Sequence, residues 1–323
     1  MRVAVLVLGL AGASRAQPAE PARGVSRVGG LRASGPGQQP HPSPAAPTDH
    51  RRAVWWVTKG AGPAVGPTDL EFVRAHRHAV TGVAPCCGCW GIGVGGNLTI
   101  DEENCGHFGA LSGDGLDVLP QGWPTLEAVL GGGYSTAIGQ LAAFAQQSNW
   151  SGVHTDLEPM GASTPLPTRQ AYGRFVSELA VAFAAQGMTV KIDSGTGTVR
   201  EWAPLLGAPG VMTMGTYWSR LSHGVNFTKG VLHKLAAALA PQSCARASVG
   251  IGVMLDAAAE PNARRQYNWT QDSLRTMLGL VGEAGLCEVA VYTNPMDNSG
   301  ANSSWTQHTA SWYIEEIADF LKQ

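Results

Sequence analysis

Three ionisable side chains occupy alternate positions of one short run, SGVHTDLEPMG at 151–161: His154, Asp156 and Glu158. A period of two is the period of a β-strand, whose side chains point to opposite faces in turn. Val153, Thr155 and Leu157 therefore share one face, and the histidine and the two carboxylates share the other. The apolar setting marks the strand as buried. An unpaired carboxylate there costs several kcal/mol, so three such groups on one face require partners or a chemical task. Pro159 ends the strand and leaves Glu158 at its carboxyl end. Two carboxylates at different depths suit general acid chemistry: the deeper one is held ionised, and the outer one is tuned towards a protonated donor.

A second run repeats the pattern. In MTVKID (188–193), Val190 and Ile192 lie on one face and Thr189, Lys191 and Asp193 on the other. Lys191 is then a partner for Asp156 or Glu158. The alternative is a satisfied structural network of ion pairs, which also perturbs pKa values.

The elements that must hold these residues alternate between two periods. Strand-like runs stand at 53–58, 79–84, 115–120, 152–158, 188–193, 211–217, 248–254 and 288–293. Between them, 166–186, 269–284 and 303–322 carry apolar residues at helical spacing. The second unit is the exception, because 85–114 is rich in Cys and Gly and shows little helix. Eight β/α units in one domain over 51–323 predict an α/β protein, a (β/α)8 TIM barrel with a Cys-rich loop insertion after strand 2. A doubly wound open sheet is the alternative. KGAGPAVG (59–66), after the first strand, lacks the spacing of a dinucleotide-binding loop, and no cofactor or metal is expected.

The formal net charge of −2 over 323 residues, without a Lys/Arg block, excludes the usual electrostatics of a nucleic-acid binder. MRVAVLVLGLAGASRA (1–16) has one early basic residue, a short apolar run and small residues at Ser14 and Ala16, the pattern of a secretory signal. The apolar run is too short to span a membrane, so no membrane association is expected after cleavage. Residues 17–50 are rich in Pro, Gly, Ala and Ser and read as a disordered linker. The predicted location is extracellular or lumenal.

Six cysteines, Cys86, Cys87, Cys89, Cys105, Cys244 and Cys287, then read as disulfides, with a zinc site at CCGC (86–89), Cys105 and His107 as the rival. The first four are expected to staple the loop after strand two, and Cys244 and Cys287 to bridge strands seven and eight. Five sequons, at Asn97, Asn149, Asn226, Asn268 and Asn302, agree with export as a glycoprotein.

In its order of elements, GVHTDLEP followed by a helix, then MTVKID, VMTMGTYW, SVGIGVM and EVAVYTNP, the chain resembles the chitinase-like barrels of glycoside hydrolase family 18. That family carries D-x-x-D-x-D-x-E on its fourth strand. The resemblance implies that Glu158 is the general acid and that Asp156 orients the N-acetyl group of the substrate. Ser151 and His154 stand where the family has Asp, which alters the relay behind Asp156. The family's Met-x-Tyr-Asp is matched loosely by Met214 and Tyr217, with Trp218 following. Its eighth-strand Trp has no counterpart, and Tyr292 and Asn294 stand at that floor. His154, Lys191, Asp193, Met214, Trp218, Tyr292 and Asn294 are the expected substrate-binding residues, and Glu158, Asp156 and Tyr217 the catalytic ones.

Trp90, Trp123, Trp218 and Trp305 fit a sugar site, since indole faces stack on pyranose rings. Of Trp55 and Trp56, only one can look into a barrel. The resemblance implies a monomeric glycosidase acting on glycans that contain N-acetylhexosamine, chitin-like or N-glycan core, by substrate-assisted retention. The alternatives are a lectin-like barrel that binds without cleaving, and a metal-dependent lyase or phosphodiesterase.

Overall fold

The computed structural model describes residues 50–58, 66–86, 88–156, 164–193, 213–214, 225–238, 250–255, 270–293 and 311–323, all within one compact unit, Ser43–Gln323. In chain order the strands are β1 (Arg52–Thr58), β2 (Gly82–Cys86), β3 (Trp90–Gly93), β4 (Asn97–Ile100), β5 (Asp117–Val118), β6 (Gln121–Pro124), β7 (Gly152–Asp156), β8 (Thr189–Asp193), β9 (Thr213–Met214), β10 (Gly250–Leu255) and β11 (Glu288–Thr293). The helices are α1 (Gly66–Ala75), α2 (Glu102–Cys105), α3 (Leu126–Gly131), α4 (Ser135–Gln147), α5 (Leu166–Ala184), α6 (Val225–Ala238), α7 (Gln271–Glu283) and α8 (Ser311–Lys322).

The helices form where the apolar residues recur on one side. On α7, Leu274, Met277, Leu278 and Val281 are buried, and the helix starts at a reciprocal cap between Thr270 and Ser273. On α5, Phe175, Val176, Leu179 and Phe183 form the buried stripe. These stripes pack on one face of the sheet, against Trp55 and Val57 of β1, Val153 of β7, Val190 and Ile192 of β8 and Val289 and Val291 of β11. The opposite face holds a separate apolar cluster of Val54, Trp56, Ala84, Cys86 and Leu119. Trp55 and Trp56 therefore part, and Trp56 is the inward one.

The strands pair in the order β4-β3-β6-β7-β8-β9-β10-β11-β1-β2-β5. Every pair is parallel except β3 with β4. Parallel strands joined by crossover helices are the expected α/β pattern. The run 117–124 is interrupted only at Leu119 and Pro120, and it contacts two strands that stand far apart in this order. Leu119 N–H donates to Val83 O on the β2 side, while Ser151 N–H donates to Val118 O and His154 N–H to Pro120 O on the β7 side.

The sheet is strongly curled. The rings of Trp56 on β1 and His154 on β7 are 5.0 Å apart, edge to face. Five strand spacings along the pairing order would put them about 24 Å apart in a flat sheet. The two side chains meet across the concave interior.

Each of the eight strand-like runs overlaps a strand, though the third, 115–120, contains only β5, and β6 follows just beyond it. The region 85–114 holds an antiparallel hairpin, the short α2 and a 3-10 segment at 106–114. Cys89 and Cys105 are disulfide-bonded within it, which removes Cys105 from the rival zinc site. Cys86 and Cys287 each take part in a disulfide as well. Cys87 and Cys244, and with them the expected Cys244–Cys287 bridge, lie outside the described residues, as do the signal and the linker up to residue 49. Among the described residues, no helix is long and apolar enough to cross a membrane.

Candidate functional site

The strand that carries the opening motif is held on both sides by register. Gln121 of β6 stands opposite His154, and His154 stands opposite Lys191 of β8. These three polar residues are all buried, with His154 at 0% exposure. One step further along, Asp156 and Asp193 are opposite one another as the last residues of their strands. Two acidic positions thus meet at the carboxyl ends of neighbouring parallel strands.

Local sequence explains why β7 fits there. Gly152 opens it because a Cβ at that position would run into the carbonyl of Thr189. Ser151, at the position of a family Asp, accepts the N–H of Val118 on its hydroxyl at 3.0 Å, tying β7 to β5.

Lys191 projects into the interior and forms an ion pair with Glu288, the first residue of β11. Glu288 also faces Arg52 Nε at 3.4 Å, and Arg52 in turn pairs with Asp117. Arg52, Asp117 and Glu288 each begin their strand, so this charge network lies at the amino ends of the strands, away from Asp156 and Asp193. Lys191 is 1% exposed and Glu288 0%. The pairing expected between Lys191 and Asp156 or Glu158 involves carboxylates outside the described side chains. The partner that is described is one the sequence reading did not single out.

At the carboxyl end of β6, Trp123 is 42% exposed, and Leu126 and Leu130 of α3 are exposed as well. Trp90 is different. It is buried, its Nε1–H donates to Pro120 O at 3.0 Å, and its ring lies so close to Gly122 that a side chain there would collide with it. Trp90 is a packing residue, and Trp123 presents an indole to solvent.

Of the other expected site residues, Met214 of β9 is opposite Ile251, and Tyr292 of β11 is opposite Met254. Glu158, Tyr217, Trp218, Asn294 and Trp305 lie outside the described residues. Gln121, Glu288, Arg52 and Asp117 were missed by sequence reasoning. The signal for Glu288 was available: it shares the alternation of Ala290 and Tyr292, opposite to Val289 and Val291. Among the described residues, no group of three or more His, Cys, Asp or Glu could hold a metal ion.

No family model matches the sequence, and no curated protein matches it. Solved structures do. A chitinase from Chromobacterium violaceum is 13% identical with a TM-score of 0.61, covering 84% of this chain and 99% of its own. The spore cortex-lytic enzyme SleL of Bacillus megaterium is 13% identical with a TM-score of 0.58, covering 83% of this chain and 74% of its own. A Group IV chitinase of Ostrinia furnacalis, solved with allosamidin, is 11% identical with a TM-score of 0.57, covering 84% of this chain and 99% of its own.

Proposed function

We infer that the chain has the fold of these chitinases and of a family 18 chitinase from Chromobacterium violaceum, that of the chitinase-like TIM barrels. We propose that the chain is a glycoside hydrolase that cleaves glycans containing N-acetylhexosamine, with Glu158 as the general acid. The observation that carries this reading is the place of the D-L-E triplet. With the β3–β4 hairpin set aside as an insertion and β5 and β6 counted as one interrupted strand, β7 is the fourth strand in chain order, and it ends at Asp156. The family resemblance requires its acidic motif on the fourth strand. On this reading the run 117–124 closes the ring between β2 and β7, and the interior is that of a (β/α)8 barrel with a Cys-rich insertion after the second strand.

Glu158 donates a proton to the glycosidic oxygen as that bond breaks. The acetamido oxygen of the substrate attacks the anomeric carbon, and Asp156 orients that group and stabilises the positive charge that develops on it. Tyr217 completes the catalytic set. Trp123, exposed at the end of β6, and Trp218 offer indole faces to pyranose rings. Asp193, Met214 and Tyr292, at or next to the carboxyl ends of β8, β9 and β11, and Asn294, which follows β11 in the sequence, are the remaining sugar-binding residues of this reading. The chain is exported as a monomeric glycoprotein.

A lectin-like reading is favoured by one observation: His154, fully buried against Trp56, stands where the family carries an acid. A reducing-end release screen over N-acetylhexosamine oligosaccharides decides between the two. Release from at least one of them supports hydrolysis. Binding without release, at any substrate length, contradicts it and supports the lectin.

A further inference from the structure

We propose that Asn97 carries an N-linked oligosaccharide and that this glycan shields the free edge of β4. The proposal rests on the export reading above and is independent of whether the barrel cleaves or only binds sugars.

Three sequon asparagines lie among the described residues, Asn97, Asn149 and Asn226, and all three are exposed. Their surroundings differ. In Asn97-Leu98-Thr99 the third residue is exposed too, its hydroxyl donating to Gly91 O at 3.3 Å, whereas Thr228 is 4% exposed and Ser151 is half-buried with its hydroxyl accepting from Val118 N–H. Asn97 also leaves the body of the fold at a turn. Gly95 and Gly96 have φ of 72° and 74°, a left-handed pair that reverses the chain between β3 and β4, and Val94 before them is 70% exposed. Opposite Gly93 in the antiparallel register, Asn97 is the first residue of the returning strand.

That strand needs covering. β4 ends the pairing order, with β3 as its strand partner, so its other row of backbone N–H and C=O groups has no strand partner among the described residues. Leu98 and Ile100 pack on the core while Asn97 and Thr99 face out. An edge strand with an apolar inner face is a template for pairing with a second chain unless something bulky and polar stands beside it. A glycan at its first residue supplies that bulk.

The chemistry is a transfer from a lipid diphosphate-linked oligosaccharide. The side-chain amide nitrogen of Asn97 bonds to the anomeric carbon of the donor's reducing-end N-acetylglucosamine, and the bond from that carbon to the diphosphate oxygen breaks. The lipid diphosphate leaves with the electron pair, and the amide nitrogen loses one proton.

The test uses the full chain secreted from a eukaryotic host, with peptide mapping before and after treatment with a glycan-releasing amidase. The expected result is a glycan on Asn97 in most molecules, lost in Asn97→Gln and in Thr99→Ala and kept in Thr99→Ser. Sedimentation velocity at equal concentration is expected to show Asn97→Gln and Thr99→Ala more self-associated than the parent and than Thr99→Ser. An exported chain glycosylated elsewhere but bare at Asn97 overturns the site and leaves export standing. A chain retained in the cytosol without any glycan overturns both. Variants that lose the glycan and sediment as the parent does overturn the shielding role.

Discussion

Lys191 on β8 and Glu288 on β11 form an ion pair across the concave interior, although three strand spacings separate their strands in the pairing order. In a flat sheet those strands would be about 14 Å apart. Both side chains are removed from water, and Arg52 adds a second cation to the same carboxylate. The pair therefore reports the curl of the sheet and anchors its amino-end floor. Glu288→Gln leaves the Lys191 ammonium buried without that carboxylate, which costs about 3–5 kcal/mol. Lys191→Met combined with Glu288→Leu removes both charges and is expected to recover most of that loss. Urea unfolding of the single and double variants measures it; additive losses would contradict the pairing.

Gly122 and Gly152 are required for close approach, the first beneath the Trp90 ring and the second against the Thr189 carbonyl. Alanine at either position forces a backbone shift, with a loss of about 1–3 kcal/mol. Gly139, on the outside of α4 with nothing within reach of an added Cβ, is the control and is expected to tolerate alanine without loss. Thermal unfolding midpoints compare the three.

The Cys89–Cys105 bridge closes a loop with a sequence separation of 16 residues. A loop of that size corresponds to about 3 kcal/mol of denatured-state entropy. Replacing both cysteines with alanine is expected to lower stability by that order, with the hairpin of β3 and β4 the first region to lose hydrogen-exchange protection. Unchanged protection there would contradict the stapling role.

Between α7 and α8, Arg275 and Gln271 both donate to the carboxylate of Glu316. The hydrogen bond from Arg275 comes first among the causes that hold the Glu316 carboxyl below its ordinary value. A carboxylate with a lowered folded-state pKa contributes stability above its unfolded pKa, about 4.3, and loses it as pH falls through the lower folded value. Arg275→Gln is therefore expected to flatten the acid limb of stability against pH below about 5 and to leave its neutral and alkaline limbs in shape. An acid limb unchanged in the variant would contradict the linkage.

Much of this fold was legible in the sequence, for reasons tied to particular residues. Val190, Ile192, Val289 and Val291 alternate with polar neighbours, and that period placed β8 and β11 and their two faces. The third strand was read as one run at 115–120; Pro120 lacks an N–H for the ladder, and the pairing moves from β2 to β7 around it. The hairpin of β3 and β4 was not foreseen, because strands of four residues with glycine at every second position of WGIG carry too little periodicity. At the site, the shared face of His154 and Lys191 followed from alternation. The partner of Lys191 did not, since a contact between strands three apart depends on curvature that no local pattern encodes.

The central claim is that Glu158, two residues beyond the end of β7, is the proton donor of a glycosidase. Turnover of a chromogenic chitobioside by the parent and by Glu158→Gln tests it most directly, with sugar binding measured on both. The account predicts that the parent turns over and that the variant binds the sugar but is slower by about 10²-fold or more, as loss of a general acid requires. Equal turnover by the two proteins, or sugar binding without turnover by the parent, would contradict it.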